Sequence, residues 1–138
     1  MLIEQTAEKR LATARLQSPI SKNIIIAGVQ DVGTIQLSNI LILDSLGILI
    51  TQKGGDGLFG HAVSDIIKSN DGNFVAVGTT VHPEQLVSNI ATSASTFIKF
   101  DSNGNIIFKK EFDTLVINNS FTKVIQTTSG DFILGGVL

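Results

Sequence analysis

The sequence predicts an all-β chain that consists of about two and a half antiparallel, four-stranded repeats. Three observations predict this fold. A motif at residues 62–78 returns in weaker form at residues 120–136, and a second motif at residues 39–53 returns at residues 96–110. Short apolar and β-branched runs fill both motifs, and turns rich in Asp, Asn and Gly separate these runs.

The first motif keeps an apolar strand pair and its turn. Four of its residues, Ile67, Gly72, Phe74 and Gly78, recur as Ile125, Gly130, Phe132 and Gly136. A third and weakest copy at residues 24–29 places Gly28 at the position of Gly78. We therefore expect Phe74 and Phe132 to occupy equivalent core positions between neighbouring repeats.

The second motif is a hairpin with an Asp-Ser-x-Gly turn, which begins at Asp44 in one copy and at Asp101 in the other. Asp and Ser side chains accept hydrogen bonds from turn amides, and the following glycine supplies a positive φ. The first motif has turns of the same kind, Asn-Asp-Gly-Asn and Thr-Ser-Gly-Asp. The sequence therefore predicts four structural turn glycines: Gly47, Gly72, Gly104 and Gly130.

Each full repeat is predicted to hold four strands in chain order, within a single domain of residues 1–138. The first repeat, residues 12–53, has strands near 12–17, 23–29, 38–44 and 48–53. The second, residues 62–112, has strands near 62–68, 73–80, 96–101 and 105–112, and a half repeat, residues 120–138, has strands near 120–126 and 131–137.

Two segments lie outside this pattern. Residues 1–11 form an N-terminal extension, for which a helix and an outer strand are equally favoured. Residues 80–95 are small and polar, and they are expected to form a long, exposed and mobile loop. Four antiparallel strands with a period of about 50–58 residues are typical of one blade of a β-propeller. The predicted fold is therefore a partial β-propeller of about two and a half blades.

Composition excludes several classes of protein. The 138 residues are 43% hydrophobic and 16% charged, and the net charge of −2 comes without a basic cluster, which argues against disorder and against nucleic-acid binding. The absence of cysteine excludes disulfides and Cys-based zinc sites. The N-terminus shows no signal-peptide pattern, and the most apolar run, residues 40–50, is too short to span a membrane. The compartment is unknown from the chain itself.

The repeat resembles a bacterial β-propeller repeat that occurs in tandem in large secreted or cell-surface proteins, notably of Bacteroidetes. The residues that carry this resemblance are Asn-Asp-Gly-Asn-Phe at 70–74 with Gly78, followed by FIKFDSNGNIIFKK at 97–110. It covers residues 12–138 and is best over 62–136. It implies a propeller fold, a display or binding role and an extracellular or cell-surface location, and it supplies no catalytic motif.

The chain departs from this family in two ways. An aromatic residue, often Trp, is common in the outer strand of such repeats, whereas Thr51 and Phe108 stand there in this sequence. Closed propellers have roughly four to eight blades, which is more than the two and a half repeats found here.

The candidate ligand-binding residues are Arg15, Asp65 and Lys123, which align on the first strands of the three repeats. All three are charged in apolar surroundings. If the first strands face a central channel, as the resemblance implies, this column lines the channel and can contact a ligand. In the alternative interpretation, the three side chains only face solvent or neutralise one another.

Other conspicuous residues favour structural interpretations. Asp101 begins like a calcium loop, but the glycine and glutamate that complete an EF-hand are missing. His61 and His82 have no His or Cys partner at the spacing of a transition-metal site. The glycine-rich residues 54–60 are expected to cross from an outer strand to the next first strand rather than to bind phosphate. No catalytic residue, metal or cofactor is expected.

These features favour a non-enzymatic repeat module, a fragment of or a subunit in a larger surface or secreted protein that binds a protein or glycan. The alternative is a propeller enzyme of the glycosidase or lyase kind, with its site completed by further blades. That chemistry needs two acids, and the aligned first-strand positions offer only Asp65. The last strand, residues 131–138, carries no charge after Asp131 and no proline. We expect this edge to pair with another copy of the chain or with further blades of the same protein.

Overall fold

The computed structural model describes residues 10–17, 22–32, 35–54, 59–87, 90–112 and 119–137. In these ranges the chain forms ten strands and no helix. The strands are β1 (Arg10–Gln17), β2 (Ile24–Val32), β3 (Ile35–Leu43), β4 (Leu49–Gly54), β5 (Ala62–Lys68), β6 (Phe74–Val87), β7 (Ile90–Phe100), β8 (Ile106–Phe112), β9 (Ser120–Gln126) and β10 (Phe132–Val137). They form antiparallel sheets in chain order: sheet one is β1–β4, sheet two is β5–β8, and sheet three is β9–β10. The predicted all-β, antiparallel architecture is confirmed.

Four hairpin loops share one hydrogen-bond pattern. They connect β3 to β4, β5 to β6, β7 to β8 and β9 to β10. In each loop the first residue donates its N–H to the carbonyl of the fifth, and the glycine at the fourth position donates to the carbonyl of the first. The glycines have the predicted positive φ: 84° at Gly47, 89° at Gly72, 82° at Gly104 and 98° at Gly130. The repeated glycines therefore serve the same backbone geometry in all four turns.

The first strand of each sheet contains a bulge at the same place. The pairing register shifts after Ala12 in β1, after Val63 in β5 and after Phe121 in β9. The residue before each shift lies opposite the recurring glycine of the second strand, which is Gly28, Gly78 or Gly136. The bulged strand therefore approaches that glycine closely: a Cβ on Gly78 would lie 1.8 Å from the carbonyl oxygen of Ala62. The recurrence of this glycine has a steric cause and does not mark a turn.

Sheet two lies between the other two sheets and uses alternate residues for its two faces. We call the face that a sheet turns towards the next sheet in the chain its forward face, and the opposite face its backward face. On β6, Phe74 and Ala76 point backward to sheet one, whereas Val75 and Val77 point forward to sheet three. This alternation is the period of two that a strand buried on both sides requires.

Two hydrophobic clusters hold the three sheets together. The first joins Ile25, Ala27, Ile40 and Ile42 of sheet one to the buried residues Val63, Ile66, Phe74, Ala76, Ile98 and Phe100 of sheet two, with Phe59 between them. The second joins the forward residues Val75, Val77 and Phe97 of sheet two to Val124 of sheet three, with Ile67, Phe112, Phe121, Phe132 and Leu134 packed against them. Each sheet thus packs on the next in the same direction.

Sheet three has an exposed forward face. Ile125 and Ile133 lie on β9 and β10 with 57% and 54% of their surface exposed, whereas their counterparts in sheet two, Ile67 and Val75, pack against sheet three. Phe74 is fully buried, as predicted. Its counterpart Phe132 contacts the ring of Phe97 at a centroid distance of 5.2 Å, but it is only partly buried.

The prediction of an exposed, mobile loop at residues 80–95 is wrong. β6 extends to Val87 and β7 starts at Ile90, so this segment is the distal half of a long hairpin, with Val87 paired to Ile90. Several of its polar side chains are buried, among them Thr80, Thr92, Ser93 and Ser95. Residues 1–9 lie outside the described ranges, so the choice between helix and outer strand there stays a prediction.

Candidate functional site on the first strands

The first strands of the three sheets form a row. β1 contacts β5, and β5 contacts β9. Within the described part of the chain, each of these strands is the outermost member of its own sheet on this side, so one of its edges has no neighbour within that sheet. Side chains on this edge reach from one sheet to the next, which is where the predicted column of charges lies.

Asp65 and Lys123 are brought together on neighbouring first strands. The Lys123 Nζ lies 3.6 Å from Asp65 Oδ1, and the backbone N–H of Val124 donates to Asp65 Oδ2 at 3.1 Å. The Asp65 side chain is 18% exposed, whereas that of Lys123 is 76% exposed. The carboxylate therefore supplies an acceptor to the unpaired edge of β9 and also neutralises part of the lysine charge. An ion pair this exposed adds little to stability.

Arg15 does not share this position. Arg15 lies opposite Ile26, whereas Asp65 lies opposite Val77 and Lys123 opposite Gly135. Asp65 and Lys123 each come directly after the bulge of their own strand. In β1 the residue at this position is Ala14. The predicted alignment was one residue off, because six residues connect β1 to β2 whereas five connect β5 to β6, so an alignment on Gly28 and Gly78 misplaces β1 by one residue. The side chain of Arg15 lies outside the described ones, so the structure supports only the Asp65–Lys123 pair.

A buried polar cluster, which the sequence analysis did not predict, lies beside the start of β9. Asn119 donates its Nδ2 hydrogen to the carbonyl of Phe112 at 3.0 Å, and its backbone N–H donates to Ser93 Oγ at 2.9 Å. Ser95 Oγ donates to Asn119 Oδ1, and Thr80 and Thr96 share a hydrogen bond of 2.8 Å. These groups satisfy one another, so the cluster fastens β9 to sheet two.

The two histidines make separate structural contacts. His61 Nδ1 accepts a hydrogen bond from the N–H of Val81 at 3.0 Å. His82 Nε2 lies 3.0 Å from Glu111 Oε2, and Lys109 Nζ lies 3.0 Å from the other oxygen of Glu111. Burial raises the pKa of Glu111, but the hydrogen bond and charge of Lys109 and the nearby His82 outweigh it, so this pKa lies below its ordinary value. The His61 contact joins β6 to the start of β5, and the contact of His82 with Glu111 joins the β6–β7 hairpin to β8.

The Asp101 carboxylate serves its own turn. Its Oδ1 accepts the N–H groups of Asn103 and Asn105 at 2.9 Å each, and its Oδ2 accepts the side-chain amide of Asn105. Burial raises the pKa of Asp101, but these hydrogen bonds and the charge of Lys53 outweigh it and hold the pKa below its ordinary value. Asp44 accepts the same two backbone bonds in its own turn. Among the described residues no group of three or more His, Cys, Asp or Glu side chains can hold a metal ion.

The glycine-rich segment lies between sheets one and two. Gly54 and Gly60 have φ values of 102° and 76°, and Ser38 donates its N–H to the carbonyl of Gly60 at 3.0 Å. Residues 55–58 between them lie outside the described ranges. A cleft of about 470 Å³ opens beside this segment, with Lys53, Phe59 and Lys109 in its lining.

Neither a scan against protein-family models nor a search of the curated proteins gives a match to this chain. Within the described part of the chain no helix is long and apolar enough to cross a membrane.

Proposed function

We propose that the chain is a non-enzymatic β-propeller repeat module that binds a protein or glycan as part of a secreted or cell-surface protein. One observation carries the proposal. All three sheets repeat the same bulge opposite the same glycine, and sheets one and two each turn the same face to the next sheet. Units that stack in one direction through equivalent faces are the way propellers and other repeat proteins are built.

The first-strand row supplies the ligand site of this proposal. Lys123 is the exposed member of its pair, and its ammonium group has three donors for an acidic or hydroxylated ligand. Asp65 is held in place by the N–H of Val124, so it orients Lys123 without itself facing open solvent. Such a fixed carboxylate beside an exposed lysine is suited to binding polar groups of a glycan or an acidic side chain of a protein.

The enzyme alternative is less well supported by the same pair. A glycosidase uses two carboxyl groups on either side of the scissile bond. Both oxygens of Asp65 already have partners, in Lys123 and in the backbone of Val124. An enzyme of this kind therefore depends on acids from further blades.

One experiment tests the binding role against the enzyme. The full chain is screened on a glycan array and a displayed-peptide library, and each glycan is then recovered and analysed by mass spectrometry. We expect saturable binding with unchanged glycan mass, and binding that weakens in Lys123→Ala, whereas the exposed control Thr122→Ala binds as the parent does. Cleavage by the parent chain that Asp65→Asn abolishes would establish the enzyme instead. The absence of any binding partner from both libraries would contradict the proposal.

A further inference from the structure

The last strand of the third sheet has one free edge. In sheets one and two, the second strand pairs with the first and also with the third, as β2 does with β3 and β6 with β7. Among the described residues, β10 pairs with β9 alone. The edge of β10 that corresponds to the β6–β7 pairing therefore presents backbone N–H and C=O groups without a strand partner.

An aromatic surface of sheet two lies beside this edge. The ring of Phe97 on β7 contacts Phe132 of β10 at 5.2 Å and Phe108 of β8 at 6.2 Å between ring centroids. Phe108 is 50% exposed. The surface thus begins under β10 and continues outward across β7 and β8, beyond the reach of the two strands of sheet three.

The equivalent place on sheet one is filled. Ile40 of β3 pairs with Lys53, and Phe97 of β7 pairs with the matching residue Lys110. Ile40 is therefore the counterpart of Phe97 in sheet one. Ile40 and its neighbour Ile42 are fully buried, because they belong to the cluster that includes Ile98 and Phe100 of β7, with Ile106 of β8 packed against it. What covers sheet one at this place is the β7–β8 hairpin of the following sheet.

The turn of that hairpin also packs against a defined residue of sheet one. Gly104, in the β7–β8 turn, lies so close to the side chain of Lys53 that a Cβ on Gly104 would be 2.6 Å from Lys53 Cγ. The counterpart of Lys53 in sheet two is Lys110, which lies opposite Phe97, stacks over the ring of Phe112 and is exposed. A lysine is therefore in place on sheet two to support a second turn of the same kind.

From these equivalences we infer that the free edge of β10 and the Phe97–Phe108 surface bind a β-hairpin with the chemistry of β7–β8. The hairpin adds its first strand to β10, and its second strand reaches over Phe108. It carries apolar residues at the positions of Ile98, Phe100 and Ile106, and its Asp-x-x-Gly turn lies on Lys110. The inference rests on the repeat architecture of the proposed function and is independent of its ligand.

Two features select a hairpin over other occupants. A free strand edge is satisfied by backbone groups in extended conformation, which a helix does not offer. A single strand added to β10 would lie over β7 only. A second strand is needed to cover Phe108 on β8. Neighbouring strands of a sheet lie about 4.8 Å apart, so one added strand does not cover both β7 and β8.

The experiment uses the chain's own hairpin as the probe. A fluorescently labelled peptide of residues 92–112 is titrated with the full chain and its anisotropy is measured. We expect saturable binding and slower hydrogen exchange at the amides of β10. A peptide with Ile98→Asp and Phe100→Asp should not bind, since these residues supply the apolar face. Fusion of residues 92–112 to the C-terminus through a Gly-Ser linker should raise the melting temperature, and fusion of the doubly substituted segment should not.

A matched pair of surface variants locates the site. Phe108→Ser should weaken peptide binding about tenfold or more, as loss of an aromatic anchor does. Ile107→Ser removes an adjacent side chain that is equally exposed but belongs to neither hydrophobic cluster, and it should leave the affinity unchanged. Failure of the peptide to bind, or equal binding by both variants, would overturn the inference. So would a concentration-dependent dimer that protects β10 without peptide, because the occupant would then be a second copy. None of these results depends on glycan or protein binding at Lys123.

Discussion

Gly78 lies so close to Ala62 that a Cβ on the glycine would be 1.8 Å from the alanine carbonyl oxygen. Real Cβ atoms do not approach an oxygen this closely, so any side chain at this position forces the bulged strand β5 away from β6. We expect Gly78→Ala to destabilise the chain by about 1–3 kcal/mol, as overpacked sites do. Chemical denaturation followed by fluorescence of an extrinsic dye measures the change.

Gly135 provides the control for this substitution. It lies on β10, and the nearest atom to a Cβ there is 4.0 Å away, on the side chain of Lys123. Gly135→Ala should therefore change the free energy of unfolding by less than about 0.5 kcal/mol, as substitutions without a structural conflict do. Equal losses in both variants would show that the close approach at Ala62 has no energetic weight.

The turns and the order of the strands were predictable because they depend on neighbouring residues. Each four-residue turn combines a polar residue that binds turn amides with a glycine at the position of positive φ, and both are visible in the sequence. The spacing of these turns then determines where strands begin and end. The bulge in β1 was not predictable, since nothing in its residues marks Thr13 as the extra one. Arg15 was misplaced for another reason: the connection from β1 to β2 is one residue longer than that from β5 to β6, which separates Arg15 from the column of Asp65 and Lys123.

The burial of polar residues was also beyond the sequence. Thr80, Ser93 and Ser95 have the composition of an exposed loop, yet they are buried in the β6–β7 hairpin. Their hydroxyl groups are satisfied by partners that are distant in the chain, such as Asn119 for Ser95. Burial of a polar group depends on such partners, and these become known only when the sheets are assembled.

Phe74 and Phe132 occupy the same position in their motifs but are expected to differ in energetic weight. Phe74 is fully buried between sheets one and two, whereas Phe132 is only partly buried on the short third sheet. Phe74→Ala should cost about 3–5 kcal/mol of stability, and Phe132→Ala clearly less. Paired urea titrations of the two variants compare the losses directly. A larger loss at Phe132 would contradict the packing described for sheet three.

The ion pair of Asp71 and Lys99 predicts a small dependence of stability on pH. The hydrogen bond from Lys99 lowers the pKa of Asp71 most, and that from Ser69 Oγ lowers it further. A carboxyl whose pKa is lower in the folded state stabilises it above the unfolded pKa of about 4, and this contribution is lost as the pH falls. Because Asp71 is 47% exposed, solvent and salt screen the interaction.

Asp71→Asn isolates this contribution. Its unfolding midpoint in urea should fall less between pH 6 and pH 3 than that of the parent chain, and added salt should reduce the difference. Lys99→Met removes the same pair from the other side but keeps the bond from Ser69 Oγ, so it should flatten the profile less than Asp71→Asn does. A parent and an Asp71→Asn profile of identical slope would show that the pair carries no pH-dependent stability.

Ser38 and Ser95 are equivalent residues whose removal should have opposite consequences. Ser38 lies opposite Val29 on β3, and Ser95 lies opposite Thr79 on β7, each one residue beyond the recurring glycine of its partner strand. Both are buried. Among the residues that the structure describes, Ser38 Oγ has no hydrogen-bond partner, whereas Ser95 Oγ donates to Asn119.

A buried hydroxyl without a partner loses its hydrogen bonds to water and gains none in the protein. Ser38→Ala should therefore leave the free energy of unfolding unchanged or increase it. Ser95→Ala instead leaves the Asn119 carbonyl oxygen without its donor, which should cost about 1–3 kcal/mol. The two variants differ from the parent by the same single oxygen atom, so each is the control for the other. Thermal unfolding measured by circular dichroism at neutral pH compares them. A melting temperature that falls equally in both variants would mean that the Ser38 hydroxyl is hydrogen-bonded in solution, as the Ser95 hydroxyl is.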